Sequence, residues 1–500
     1  MTAKVLMIMG TMSSAGKSLI AAGLCRVYAR KGWKVLPFKA QNMSNNAAVC
    51  LSGGEIGRAQ AVQAEAAGAE PDVRMNPVLL KPESDHGSQV IIRGKVLGSY
   101  SGNEYYRLHD QIWPAVTDSL DSLREEADLV IMEGAGSIAE LNLRKSDLVN
   151  LAVARYAGAP CLLTGNIDLG GIFAQLDGSW WLLDPEDRKY LKGFIVNKFR
   201  GDVSLFQDGI RILSERSEGV PVIGVLPYLH EHGIPDEDAA SYSEGGNKSE
   251  GAAEICVVRL PHISNFDDFD ALKYEKNVRL IFTDQKDELA RARAIILPGT
   301  KNTIGDLNWL KENGLADEIL RLFQKGTPII GICGGYQILG RELNNPLHLE
   351  CTQEFCSGLG ILPVVTELTE RKTVTQTRMR VVHGSGFLEK LDGTVLDGYE
   401  IHSGQSVSSQ PIFEIIQRNG VSCSGVDGAE TPFGRCFGTY LHGIFGNDNF
   451  RKAWLESLGI VSESDREQER RRKSFDLLAD EVEKNLNIPL IDQIIEKGIR

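Results

Sequence analysis

The sequence runs to 500 residues, 42% of them hydrophobic and 24% charged, with a formal net charge of -13. These are the proportions of a soluble globular protein, and the length suits roughly two to four domains. An acidic surplus of this size argues against nucleic acid or an anionic membrane surface as a partner.

The chain opens on a short apolar run, Val5 to Met9, that leads at once into a glycine-containing loop. The run is too short for the apolar core of a secretory leader, and no apolar stretch reaches the roughly 18 residues of a spanning helix. The nine cysteines are scattered, and Cys351 and Cys356 lack a second pair to complete a zinc site. A reducing, cytoplasmic location with no membrane partner is therefore expected. Short β-rich runs alternate with helical patterns, and the predicted strands are Val5–Met9, Lys34–Phe38, Leu129–Met132, Pro160–Leu163, Gly193–Val196 and Val222–Val225. Such alternation predicts a parallel sheet wrapped by helices. Between Glu231 and Ala253 apolar residues nearly vanish, which marks a linker over 233–252. A second alternating series follows at Ile255–Leu260, Val278–Phe282, Ala294–Leu297 and Pro328–Ile332, then a β-rich region up to Phe437–Leu441. From about residue 451 the chain reads as a helical tail, and Arg470 to Lys473 reads as a solvated helix face. The expected domains are 1–232 and 253–500, both α/β, with the tail in the second.

Gly10-Thr11-Met12-Ser13-Ser14-Ala15-Gly16-Lys17-Ser18 follows the first strand and opens a helix. Compared with the G-x4-G-K-[ST] phosphate loop, the first glycine stands one residue early and Thr11 occupies its place. The mechanism is kept: backbone N–H groups cradle phosphates, Lys17 reaches the terminal phosphates and the Ser18 hydroxyl binds Mg²⁺. Lys39 follows the second strand and is placed to reach phosphates from the opposite side; a plain surface lysine is the alternative. Glu133 ends the run Leu129–Met132 before Gly134-Ala135-Gly136, the position of a Mg²⁺ ligand or of a turn acid. Asn197 and Lys198, at the end of another strand, are candidates for the nucleotide base.

In the second half, Gly331-Ile332-Cys333-Gly334-Gly335-Tyr336-Gln337 lies between an apolar strand and an apolar helical segment. A thiol at a sharp strand-to-helix turn has the setting of a nucleophile, because the helix start favours the thiolate and offers N–H groups to an oxyanion. The competing reading is a buried structural cysteine. Leu297-Pro298-Gly299-Thr300-Lys301 also ends a strand, so the Gly299 backbone is a candidate oxyanion donor or simply a turn.

These features converge with less common ones: Phe38-Lys39-Ala40-Gln41-Asn42-Met43-Ser44-Asn45-Asn46, Glu55-Ile56-Gly57-Arg58-Ala59-Gln60 continuing to Gln63, Glu133-Gly134-Ala135-Gly136-Ser137, Asn197-Lys198-Phe199-Arg200-Gly201-Asp202 and Ser264-Asn265-Phe266-Asp267-Asp268-Phe269-Asp270. Over nearly its whole length the chain resembles the cobyric acid synthase family, the glutamine-dependent amidotransferases of cobalamin biosynthesis. The phosphate loop alone resembles the wider dethiobiotin-synthetase-like group. The resemblance implies a P-loop NTPase-like amidoligase domain followed by a class I, triad-type glutamine amidotransferase domain. It implies ATP and Mg²⁺, with L-glutamine as nitrogen donor, no permanently bound cofactor and a corrinoid small-molecule substrate; an oligomer is possible. The b, d, e and g carboxylates of adenosylcobyrinic acid a,c-diamide would be amidated through acyl phosphates. Gln337 and Gly335 would serve glutamine binding and the oxyanion, and His442, in Tyr440-Leu441-His442-Gly443-Ile444-Phe445, would be the base for Cys333. Ile444 stands where many such sites carry the third, acidic member; Glu400 and His402 are candidates to orient a partner. Asn166 and Leu169 depart from the Asp and Arg usual in the family. The alternatives are a related amidoligase, such as the a,c-diamide synthase, and a nucleotide switch, which the glutaminase motif opposes.

Overall fold

The computed structural model describes residues 2–84, 87–229, 232–235, 251–463 and 466–499. Two compact units emerge: Met1–Ser44 with Glu55–Glu237 and Arg470–Arg500, and Asn45–Gly54 with Asp238–Glu469. Most of the predicted linker, residues 236–250, lies outside the described residues.

The first unit is built on a six-stranded parallel sheet in the order Val222–Pro227, Leu191–Phe199, Cys161–Asn166, Lys4–Gly10, Leu129–Glu133, Val35–Phe38. Each of the six predicted strands is there. Their near-continuous apolar character follows from burial on both faces. Along the first strand Val5, Met7 and Met9 enter one apolar cluster, while Leu6 and Ile8 enter the other. Leu129 and Ile131 likewise part from Val130 and Met132, as a period of two requires. A four-stranded sheet that the sequence reading did not resolve follows in chain order, made of Gln41–Met43, Val78–Ser84, Gly87–Ile92 and Lys95–Ser101.

The helical tail forms as Glu467–Asn485 and Ile488–Lys497, but residues 470–500 belong to the first unit and not the second. The reason is its apolar stripe. Phe475, Leu478, Ala479 and Val482, then Ile488, Ile491 and Ile495, recur at helical spacing and pack with Ile20, Leu24 and Val27 of the helix Lys17–Arg30. Each such side chain contributes roughly 1.5–3 kcal/mol when fully buried. Arg26–Asp476 at 2.7 Å, Arg30–Asp480 at 2.6 Å and Lys31–Asp492 at 2.9 Å line the edge of this contact.

The second unit has a sheet in the order Val278–Thr283, Ala253–Val258, Ala294–Leu297, Ile329–Ile332, Cys436–Thr439, Ala429–Glu430. All its pairings are parallel except that of the last strand. A second sheet centres on the long antiparallel pair Val364–Val381 and Val395–Ser408, which accounts for the β-rich region. Residues Asn45–Gly54 join this unit from far away in sequence. The Asn46 side chain accepts from the Phe266 N–H at 3.2 Å, the Ala47 N–H donates to Asn265 Oδ1 at 3.1 Å, and the Gln376 amide donates to the Val49 carbonyl at 2.5 Å.

Leu478→Ala or Ile491→Ala is expected to cost about 2–5 kcal/mol. Arg30→Ala, on an exposed pair, is expected to cost under about 1 kcal/mol. Shifts of the urea midpoint check both, and equal small shifts for all three would remove the apolar anchoring of the tail.

Candidate functional site

In the first unit the reactive groups gather where parallel strands end. The loop between the strand Lys4–Gly10 and the helix Lys17–Arg30 closes on Gly16, whose φ is 95°. A Cβ there would also lie 2.0 Å from Asn197 Nδ2, so glycine is required by both conformation and space. Asn197 is buried and donates to the Ala15 carbonyl at 2.9 Å. Its side-chain N–H therefore clamps the loop. Lys198, next to it, is half-buried with φ 62°. Thr11 is held by its N–H on the Thr164 carbonyl at 3.0 Å and by its hydroxyl on Gln175 at 3.1 Å. Lys17 curls back over the loop, donating to the carbonyls of Met12 at 2.9 Å and Gly136 at 3.1 Å. A Cβ on Gly10 would stand 2.8 Å from its Nζ.

Glu133 is the electrostatic centre of this site. One oxygen accepts from the Ser18 hydroxyl at 2.8 Å and pairs with the Lys39 ammonium at 2.9 Å. The other accepts from Gln63 at 2.6 Å and Gln60 at 3.4 Å. The residue is 1% exposed and Lys39 is 4% exposed, so neither charge keeps its water and each relies on these partners. Lys39 thus meets the site through Glu133 and is not a surface lysine. Gln60 and Gln63 received no role from sequence; their i, i+3 spacing on the helix Arg58–Ala67 puts both on one face. Hydroxyl and carboxylate oxygens are hard donors of the kind Mg²⁺ takes beside phosphate oxygens and water. At the departure from the family pattern, Asn166 accepts from the Asp168 N–H at 2.9 Å, Asp168 pairs with Arg200 at 2.5 Å, and Leu169 is exposed.

The second unit places Cys333 between the strand Ile329–Ile332 and the helix Gly334–Leu339. Its φ of 51° and ψ of -108° are uncommon for a residue with a side chain and mark stored strain at a reactive turn. The thiol points to the Ile401 carbonyl at 3.4 Å, and the Cys333 N–H donates to the Thr439 carbonyl at 2.8 Å. His442 follows the adjacent strand Cys436–Thr439 and is fully buried. Its imidazole feels the charge of Cys333, and its Nε2 lies 3.5 Å from Asn265 Nδ2.

The acid missing from position 444 is Asp268. Its Oδ2 lies 2.7 Å from His442 Nδ1, and its Oδ1 accepts from the Gly443 N–H at 2.8 Å. Both carboxylate oxygens are thereby fixed, and the ring is held with Nδ1 toward the acid and Nε2 on the other side. Burial by itself lowers the imidazole pKa, but the Asp268 carboxylate and Cys333 outweigh it and raise it to about 10. Gly299 packs against the ring, where a Cβ would stand 3.0 Å from His442 Cε1. Gly335 abuts the Leu297 carbonyl so closely that a Cβ would lie 2.0 Å from it.

Gln337 is buried, accepting from Thr303 at 3.0 Å and donating to the Tyr440 hydroxyl at 2.9 Å, so it braces Tyr440. Glu400 binds Arg418 at 2.9 Å and Thr377 at 2.7 Å. His402 lies 3.4 Å from Glu400 and stacks on Tyr440 with centroids 3.7 Å apart. Glu400, His402, Ser406 and Tyr440 line a cavity of about 510 Å³ that also carries Arg371 and Arg418. Burial opposes ionisation of Glu400, yet His402 and Arg418 hold its pKa down at about 2. The cavity therefore offers both signs of charge, as the zwitterionic end of an amino acid requires.

The description "CobQ/CobB/MinD/ParA nucleotide binding domain" matches residues 6–237, and "CobB/CobQ-like glutamine amidotransferase domain" matches residues 254–450. A protein of Syntrophobacter fumaroxidans named cobyric acid synthase is 44% identical over 509 residues, covering 99% of this chain and 99% of its own. A protein of the same name from Chloroflexus aurantiacus is 47% identical, covering 99% of this chain and 100% of its own. Another, from Dehalococcoides mccartyi, is 44% identical with 100% coverage of each.

Asp268→Asn removes the charge that raises the His442 pKa, so the imidazole titration, followed by NMR, is expected to move down from about 10. A folded-state pKa above the ordinary 6.5 contributes stability that is complete below 6.5 and lost as pH rises through about 10. The wild type should therefore exceed Asp268→Asn in Tm most clearly at pH 6, with the gap closing by pH ~10.5. A gap that widens with pH would contradict the pairing.

Proposed function

The chain belongs to the cobyric acid synthase family and is a glutamine amidotransferase, and we propose that it amidates the b, d, e and g carboxylates of adenosylcobyrinic acid a,c-diamide, giving adenosylcobyric acid. The observation that carries this reading is the pairing, on one chain, of a Cys333–His442–Asp268 array with a phosphate loop centred on Lys17.

In the second unit the Cys333 thiolate attacks the side-chain amide carbon of glutamine. The His442 imidazolium, held by Asp268, gives its proton to the departing nitrogen, and ammonia leaves. Water then cleaves the thioester to glutamate with His442 as base. The cavity bearing Glu400, Arg418 and Arg371 receives the amino-acid end of glutamine. Backbone near Gly299 and Gly335 faces the developing oxyanion.

In the first unit a substrate carboxylate oxygen attacks the γ-phosphorus of ATP, and ADP leaves. The resulting acyl phosphate has a good leaving group where the carboxylate had none. Ammonia adds to its carbonyl, phosphate departs, and the amide remains. Lys17 offsets the repulsion between carboxylate and phosphates, and Asn197 keeps the loop in shape. Ser18 and Glu133 are the residues that would hold Mg²⁺, which supplies charge neutralisation at the phosphates. Lys39, Gln60 and Gln63 fix the Glu133 carboxylate that serves it.

Cys333→Ala is expected to reduce glutamine-dependent amidation by at least about 100-fold while leaving amidation from ammonium salts intact. Lys17→Ala should fail with either nitrogen source. Incubation with ATP, Mg²⁺ and the a,c-diamide followed by mass spectrometry reads both. Loss of the ammonium-dependent reaction in Cys333→Ala would assign the thiol a structural part.

A further inference from the structure

Asp306, in the second unit, is fully buried and takes no part in the steps by which glutamine would be cleaved. It stands in the first turn of the helix Thr303–Glu312, with its N–H on the Asn302 carbonyl at 3.0 Å. A carboxylate taken out of water persists only where donors replace the water. Here the donors come from two places in the chain. His262 supplies its backbone N–H at 3.2 Å and its ring Nδ1 at 2.7 Å, and Thr300 supplies its hydroxyl at 2.5 Å. A carboxylate only accepts, so the His262 ring carries a proton on Nδ1. The Thr300 oxygen itself accepts from the Asn302 N–H at 3.1 Å. Its single proton has a nearer acceptor in Asp306 than in the His262 carbonyl, at 3.2 Å.

What Asp306 holds is the loop beside Cys333 and His442. The Ser264 N–H donates to the Gly299 carbonyl at 2.9 Å and the Lys301 N–H to the His262 carbonyl at 3.0 Å, around an antiparallel bridge between Ile263 and Thr300. These bonds fix the two segments to each other, and Asp306 fixes both to the helix. On one side the loop meets the base, since a Cβ on Gly299 would stand 3.0 Å from His442 Cε1. On the other it meets the nucleophile turn, since a Cβ on Gly334 would stand 3.0 Å from the Thr300 amide nitrogen. We propose that Asp306 is a positioning residue of the glutamine-cleaving centre: by holding His262 and the Thr300 hydroxyl, it sets the distance of the Gly299–Thr300 backbone from Cys333, and with it the stabilisation of the oxyanion. The inference rests on the functional reading above. Donors aimed at a developing charge work only where they are held in place beforehand. A small displacement of this loop weakens the tetrahedral state, in which the oxygen is charged, far more than the bound amide. The amino-acid end of glutamine is held elsewhere, by the cavity of Glu400 and Arg418.

Three variants test this. Thr300→Val keeps the shape of the side chain and removes the hydroxyl, Thr300→Ser keeps the hydroxyl, and Asp306→Ala removes the carboxylate. Each is assayed in amidation of the a,c-diamide with ATP and Mg²⁺. Thr300→Val and Asp306→Ala are expected to lower the glutamine-dependent kcat at least about 10-fold, with KM for glutamine within about 3-fold of the wild type. Amidation from ammonium salts should keep the wild-type rate. Thr300→Ser should stay within about 3-fold of the wild type in every assay. Alkylation of Cys333 by iodoacetamide forms no oxyanion, so its rate, followed by peptide mass spectrometry, should be the same in all four proteins. Thr300→Val leaves the buried carboxylate its two His262 donors and decides the matter where Asp306→Ala fails to fold. An unchanged kcat in Thr300→Val, a rise in KM alone, or a parallel loss of Cys333 alkylation overturns the assignment and leaves the functional reading standing. A wild type that forms no amide from glutamine overturns the functional reading, and the assignment falls with it.

Discussion

Parallel strands all finish at the same edge of their sheet, and both chemistries of this chain are built on that constraint. In the first unit the strands ending at Gly10, Phe38 and Glu133 bring the phosphate loop, Lys39 and an acid together. In the second, the strands ending at Leu297, Ile332 and Thr439 bring Gly299, Cys333 and His442 together. The register between neighbours sets the spacing: Gly331 lies opposite Leu297 on one side and Gly438 on the other. Turns at this edge need small residues because neighbouring groups approach closely there: a Cβ on Gly335 would meet the Leu297 carbonyl, one on Gly16 the Asn197 amide, and one on Gly299 would press on the His442 ring.

Each site is then organised round one buried carboxylate. Glu133 gathers a hydroxyl, an ammonium and two amides; Asp268 gathers an imidazole and a backbone N–H. Removing charge from water costs several kcal/mol per ion, so such groups persist only where every lone pair has a partner. The pairs at the rim of the C-terminal helices differ in kind. Arg30 and Asp480 remain open to solvent, and their attraction is weakened by water and salt. Those helices are held by their apolar stripe, and the pairs decorate it.

Much of this was legible in the sequence, because strand runs and turn glycines are local signals. The six strands of the first sheet, the phosphate loop and the Cys333 turn could each be read from a dozen residues or fewer, whereas His442 was reached through the family resemblance. What was not legible depends on distance along the chain. Asp268 lies 174 residues before His442, and nothing in Asn265-Phe266-Asp267-Asp268 says which acid is to face an imidazole. Asn197 and Gln337 stand at positions that read as ligand contacts, and folding shows a second task for their amides, on the Ala15 carbonyl and on Tyr440. A motif records that a residue is needed, while packing decides whether it touches the ligand or holds what does. The tail misled for a related reason: adjacency suggested the second domain, whereas Leu478 and Ile491 fit the first.

The interleaving of the units bears on how such a protein can be divided or inherited. Residues Asn45–Gly54 belong with the second unit although the chain on either side of them belongs with the first, and residues 470–500 return to the first. A single break near residue 250 would therefore yield two incomplete pieces. The later piece would lack Asn46 and Ala47, leaving the Phe266 N–H and the Asn265 side chain without those partners two or three residues from Asp268. The earlier piece would expose Ile20, Leu24 and Val27. Gene fission at that point, or domain shuffling by simple fusion, would part residues of each unit from the rest of that unit.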